Sequence, residues 1–253
     1  MSTIDFSPAP GAAPASTRIV RHAITEATLL VRNGEQLLLA LVIPLGILLG
    51  GRFFGGRFGD LDSLAPSVLG LALWSSAFTS VAITTGFERR YGVLERLAAT
   101  PLGKAGLLAG KALAVTLIVL AQLVILVVAA LMMGWRPAFT ASSLLEALLV
   151  AILAAATFVC LGLLLAGRLR AEIILAVANL TYLVLLAGGG LLLPVDRYIP
   201  PVRPLVSALP TGALGEGLRA AAAGVVLGWP LAVLVIWLVL AGLAARRFFR
   251  WTS

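Results

Sequence analysis

Between residues 17 and 33 the apolar positions recur at helical spacing. Val20, Ile24, Ala27 and Val31 share one side, and Arg18, Arg21, Thr25 and Arg32 occupy the other. This pattern predicts an amphipathic helix with a basic polar face, suited to lying along a membrane surface at residues 17–35. Beyond it the pattern becomes continuously apolar. Stretches at 36–54, 64–87, 105–133, 145–167, 173–193 and 224–245 each approach the ~20 residues that cross a bilayer. The reading is six spans, with five or seven as the neighbouring counts. Pro44 interrupts the first stretch, and Arg52 near its end can snorkel to the surface. The third is long and carries Lys111 near its beginning, so its membrane portion is expected to start nearer Ala112. A charge at the bilayer centre costs at least ~2.5–3.5 kcal/mol on insertion scales, a cost that helix ends avoid. Residues 1–16 are rich in Ala, Pro and Ser and lack a basic start followed by an apolar run. They read as an uncleaved, disordered tail.

Composition excludes a soluble globule. The chain has 253 residues, 60% hydrophobic and 12% charged, with a mean hydropathy of +1.06. Soluble domains run roughly 45–50% apolar and about 25% charged. A globule of this length cannot hide so many aliphatic side chains, so lipid must be the solvent for most of them. Cys160 is the single cysteine and His22 the single histidine. Together they exclude an internal disulfide framework and Cys-rich metal sites, and leave His-dependent hydrolysis without support.

The net charge of +8 is explained by topology. With both termini cytoplasmic, the inner side collects Arg18, Arg21, Arg32, Arg89, Arg90, Arg96, Lys104, Arg168, Arg170, Arg246, Arg247 and Arg250. The outer side holds Arg52, Arg57, Arg136, Arg197, Arg203 and Arg219. Twelve against six favours this orientation under the positive-inside rule. Anionic inner-leaflet lipid suits the basic excess, and no nucleic acid is needed.

Two segments outside the spans carry information. The cytoplasmic one covers residues 88–104, with Glu88, Arg89, Arg90, Glu95, Arg96 and Lys104 as its charges. Gly92 breaks the helix leaving the membrane, residues 93–99 can form about two turns, and Thr100-Pro101 ends them. Leu94 and Leu97 stand at i, i+3 with Glu95 and Arg96 beside them. Such a ridge docks into a partner's groove or merely turns in solvent, and physics alone leaves both open.

The run ERRYGVLERLAATPLGKAGLLAGKALA, from Glu88 onward, resembles the hallmark segment of ABC-2 type transporter permeases. The acidic–basic start, the G-x-L-E-R-L core, the T-P-L turn and the later G-K-x-L-A match in order. A second run, LPTGALGEGLR ending at Arg219, is similar to the family's segment before the last span. The resemblance extends over nearly the whole chain from Thr17. It implies an all-α membrane protein of six transmembrane helices, with an N-terminal interfacial helix and a transmembrane domain over residues 36–253. It also implies a cytoplasmic coupling helix within residues 92–101 that fits a cleft on a separate ATP-hydrolysing subunit. Glu88, Arg89, Gly92, Leu94, Glu95, Arg96, Leu97, Thr100 and Pro101 are the expected coupling residues.

The outer segment, residues 194–223, is dense in helix breakers. Gly188, Gly189 and Gly190 precede it, and Pro194, Pro200, Pro201, Pro204 and Pro210 lie within it. This favours short re-entrant or surface helices over another span. The resemblance implies two short outer helices that dip into the membrane and close the exit. Glu216 and Arg219 stand at i, i+3, where an exposed pair contributes only ~0–1 kcal/mol.

Residues 106–112 look superficially like a P-loop, but the glycines are too close and Ala112 replaces the Ser or Thr that would hold Mg²⁺. No cofactor or metal is expected in this chain. ATP and Mg²⁺ are expected on the partner, an ABC nucleotide-binding subunit present in two copies. Gly46 and Gly50 form a GxxxG that suits a seam with a second permease chain, either a copy or a relative. At membrane depth the polar candidates for a substrate path are Ser76, Ser80 and Thr84 in the second span, Gln122 in the third, and Asn179 and Tyr182 in the fifth. Ser and Thr also bond their own helix backbone, and a buried amide also serves helix packing. A path lined by aliphatics and a few amides suits drug-like or lipidic cargo. With the resemblance, the expected role is the permease of an ABC exporter in the bacterial plasma membrane, with membrane lipids around it. Export of polysaccharide or glycolipid and a non-transport scaffold for an ATPase are the alternatives.

Overall fold

The computed structural model describes residues 11–53 and 61–249. Most of the predicted tail lies outside these residues, as do Arg57, Arg250 and the Lys104 side chain. The amphipathic stretch folds as α1 (Ala15–Arg32) and is followed by α2 (Gly34–Phe53). The second predicted span is a rod in three pieces: α3 (Leu61–Trp74), a π-helical turn (Ser75–Ser80) and α4 (Val81–Arg90). Next come the short α5 (Val93–Ala98), the long α6 (Gly103–Met132), α7 (Ala141–Ala166) and α8 (Ala171–Gly188). A 3-10 turn (Val195–Arg197), α9 (Arg203–Ala208) and α10 (Pro210–Ala222) precede α11 (Trp229–Phe248). Among the described residues there is no strand.

Among the described residues, five helices are long and apolar enough to cross a membrane: Leu61–Arg90, Ala105–Met132, Ala141–Ala166, Ala171–Gly188 and Trp229–Phe248. The first predicted span supplies a shorter apolar helix, Ala40–Phe53, and stays helical through Pro44. The protein is an all-α membrane protein.

Two span ends differ from the hydropathy pattern, and glycine is the reason for both. The fifth span stops at Gly188 because the chain unwinds there, with Gly190 at φ +79°. Leu191, Leu192 and Leu193 read as a continuation of the span but belong to the turn. The last span begins at Trp229 because Gly224 and Gly228 both take positive φ. Its N-terminus is capped from another helix. Buried Glu146 of α7 accepts the backbone N–H groups of Leu227, at 3.1 Å, and Gly228, at 2.9 Å. A carboxylate placed there satisfies donors that a helix start leaves without partners and complements its dipole.

α7 runs through the middle of the bundle and packs on α3, α4, α6, α8, α10 and α11. Small residues allow this. A Cβ at Gly162 would come within 2.9 Å of the Phe78 carbonyl oxygen, so α7 and the central rod meet backbone to backbone. Trp74 fills the adjoining space, stacked on Phe78 at 4.2 Å and edge-on to Phe158 at 4.7 Å. α10 re-enters the bundle between α3, α7 and α11, and most of its residues are buried.

Candidate functional site

α5, the helix of the expected coupling segment, projects from one end of the bundle, designated the coupling end for that expectation. Gly92, at φ +71°, sets the reversal between α4 and α5, a conformation that L side chains rarely adopt. The three charges leading into it each grip a different element. Glu88 receives Lys111 of α6, whose ammonium lies 2.9 Å from its carboxylate oxygens. Arg89, buried, donates to the carbonyl of Leu169 in the α7–α8 turn. Arg90 pairs with Glu172 at the start of α8. Glu88 and Arg89 are therefore turned into the bundle, and they tie the stem of α5 to α6 and the α7–α8 turn.

The face that α5 offers outward differs from the leucine ridge suggested by spacing. Leu94 is fully buried and Leu97 half-buried against the core, so the pair anchors α5 to its own chain. The exposed surface includes Tyr91, Val93, Glu95, Arg96, Ala98, Ala99, Thr100 and Pro101. Thr100 also shapes the exit from α5: its hydroxyl donates to the Leu97 carbonyl at 2.6 Å and accepts from the Leu102 N–H at 3.4 Å.

Behind α5 lies a buried charge cluster that sequence reasoning missed. Lys111 is 3% exposed and sits 2.7 Å from Glu26 of α1 as well as against Glu88. One ammonium thus joins the interfacial-type helix to the stem of the coupling segment. α1 reaches it because α6 is flat there. A Cβ at Gly110 would lie 2.6 Å from the His22 ring and 3.2 Å from the Ile19 carbonyl. The glycines that give residues 106–112 a P-loop look are a docking surface for α1. His22 Nε2 lies 3.7 Å from Glu26. Burial holds the His22 pKa below the usual 6.5, opposed by Glu26 and reinforced by Lys111. With this face turned inward, α1 leaves Val20, Ile24, Leu29 and Val31 exposed.

Deeper in the bundle a polar seam joins α2, the π turn and α6. Pro44 has no N–H to return to the Ala40 carbonyl four residues earlier. Gln122 supplies the missing donor: its amide nitrogen lies 2.7 Å from that oxygen, and its amide oxygen accepts from Ser76 at 2.9 Å. The π turn brings Ser76 to this position, as single π turns inside helices often do at functional sites. Between the seam and the charge cluster lies a cavity of about 60 Å³, room for a few waters. Ser76, Ser80, Thr84 and Gln122, four of the six path candidates, all line it, with Thr85, Glu26 and Lys111. The fully buried Thr85 hydroxyl has no partner among the described residues. Asn179 and Tyr182 do not reach this cavity. They lie on α8, Asn179 exposed and Tyr182 half-buried. Gly46 and Gly50 of α2 meet no neighbour among the described residues, which leaves their GxxxG surface open there.

At the far end of the bundle, Arg219 of α10 is more than an exposed partner of Glu216. The two side chains are only 12% and 21% exposed and 2.8 Å apart. The guanidinium donates to the carbonyls of Gly190, at 2.7 Å, and Leu191, at 2.9 Å. Glu216 accepts the Val195 N–H at 2.9 Å. The Glu–Arg pair thus satisfies the backbone that the glycine-rich break leaves unwound.

No curated protein matches the sequence. The family model described as ABC-2 type transporter matches residues 22–222, from the buried face of α1 to the end of α10. That interval includes the charge cluster, the coupling segment, the polar seam and the Glu216–Arg219 latch. The chain belongs to the ABC-2 type transporter family and is a membrane-spanning permease subunit.

Proposed function

We propose that this permease serves an ATP-driven exporter of hydrophobic or amphipathic cargo. It works as a pair, with an ATP-hydrolysing subunit bound at each α5 and ATP and Mg²⁺ held by that subunit. The observation that carries the reading is the stem of α5, where Glu88, Arg89 and Arg90 link consecutive positions to α6, the α7–α8 turn and α8. A push on α5 is therefore shared among three elements instead of bending one loop. Such a rearrangement of packed rods is a known class of transmembrane switching.

The remaining assignments belong to the same proposal. The exposed apolar stripe of α1 lies in the membrane interface, and the coupling end with both termini faces the cytoplasm of a cell bounded by its plasma membrane. The Gly46–Gly50 surface of α2 meets the second permease. Cargo passes along the cavity where Ser76, Ser80, Thr84 and Gln122 stand beside Val115, Ile118 and Val119 of α6, a lining that suits amphipathic molecules.

The test is reconstitution in vesicles with the ATPase partner that co-purifies. Wild type should move cargo only with ATP. The exposed charge reversal Glu95→Arg with Arg96→Glu should leave ATP hydrolysis running while transport falls, without loss of thermal stability. Unchanged transport in that variant, ATP cleavage by the purified permease alone, or labelling of an Arg96→Cys variant from outside the cell would each overturn the reading.

A further inference from the structure

A second cavity lies away from the polar seam, on the flank where α6, α7 and α11 face the surroundings of the bundle. It is an open groove of about 500 Å³, walled by Leu108, Ala109, Ala112, Cys160, Gly242 and Leu243, with Arg246 at its coupling end. Small residues on two neighbouring helices ordinarily let the backbones close on each other. Here they do not: a Cβ at Gly242 would meet nothing within 4 Å. The gap extends from Leu238 to Arg246 along α11, about 12 Å at the helical rise and most of the depth of one leaflet. Within a membrane such an apolar slot is filled by hydrocarbon.

The charge at its mouth selects the headgroup. Arg168 and Arg247 hold their guanidinium groups near the Phe248 ring. Arg246 is exposed and has no hydrogen-bond or ion-pair partner among the described residues. None of the residues lining the groove is acidic. A guanidinium above an apolar slot complements a phosphate carrying an acyl chain.

We propose that this groove binds one anionic phospholipid from the leaflet on the coupling side. Its acyl chain lies along Ala109, Ala112 and Gly242, and its phosphate meets Arg246. The inference rests on the membrane-spanning fold and is independent of cargo, direction and ATPase partner.

Native mass spectrometry of the full chain, released from nanodiscs of mixed phosphatidylglycerol and phosphatidylcholine, tests it. Wild type should retain one phosphatidylglycerol in preference to phosphatidylcholine. Arg246→Gln should weaken that preference about fivefold, the contribution of one basic side chain at a lipid surface, and Arg246→Lys should keep most of it. Gly242→Leu, which fills the slot, should abolish retention of either lipid. If that variant does not fold, Ala109→Leu on the opposite wall makes the same test. Equal retention of the two lipids by wild type would overturn the proposal. So would an undiminished preference in Arg246→Gln, or chain-to-chain photo-crosslinking from position 242 showing a second protein in the groove.

Discussion

The side-chain amide of Gln122 donates to the Ala40 carbonyl at 2.7 Å, filling the place of the N–H that Pro44 lacks. A proline in an apolar helix is tolerated when a neighbour satisfies the oxygen it frees, and here that neighbour comes from α6. Gln122→Leu should therefore destabilise the protein by ~1–3 kcal/mol, the cost of leaving a buried polar group unpaired. Adding Pro44→Ala should recover much of the loss, because alanine has the backbone N–H that returns the helical bond. Thermal unfolding in detergent of both single variants and the double variant reads this out. A loss in the double equal to the sum of the singles would show that the two positions are independent.

Lys111 joins two carboxylates, so its removal should cost more than removal of either one. Lys111→Met leaves the buried Glu26 and the half-buried Glu88 without their cation, a loss of ~3–5 kcal/mol by analogy with other broken buried pairs. Glu26→Gln keeps the Lys111–Glu88 pair and should cost clearly less. Hydrogen exchange in α1 should rise in both variants, since each weakens the tie between α1 and α6. Equal stability of Lys111→Met and wild type would remove the cluster from the account of how α1 is held.

His22 gives the docking of α1 a pH dependence whose sign follows from its lowered pKa. The packed helix favours the neutral ring, whereas the undocked or unfolded chain titrates near 6.5. The stabilisation is therefore complete above about pH 6.5 and is lost as the pH falls toward the depressed value. The protection of α1 amides should decline as the pH falls below about 6.5, and His22→Gln should flatten that decline. A wild-type profile identical to that of His22→Gln would contradict the assignment.

Arg219 holds two carbonyls and one carboxylate with one planar group. Lysine offers the charge without the fork, so Arg219→Lys should restore little of what Arg219→Met loses. The loss expected for Arg219→Met is about 2–4 kcal/mol, with increased proteolysis around residues 188–195. An Arg219→Lys variant as stable as wild type would show that charge alone matters there.

Several of these features were legible in the chain itself. Apolar runs separated by charged turns gave the helices, because in lipid a segment must satisfy its own backbone bonds. Gly92 and Thr100-Pro101 gave the limits of α5, which spans Val93–Ala98, since turn chemistry is local. The Ser76–Ser80–Thr84 stripe was visible as a helical face, and the structure joins it to Gln122 in one cavity.

Other features needed the tertiary structure. Glu26 carries no motif of its own, and Lys111 reads as a charge near the start of a span. Their partnership crosses 85 residues. Glu146 carries no motif, because the helix start it caps lies more than 80 positions away. Leu94 and Leu97 at i, i+3 read as a ridge for a partner's groove or as a turn in solvent, and packing instead turns both toward their own bundle. Sequence determines which segments are helical and which faces are apolar, since those follow from neighbours along the chain. Which polar groups meet is decided by helices approaching in space, where burial without a partner is too costly to persist.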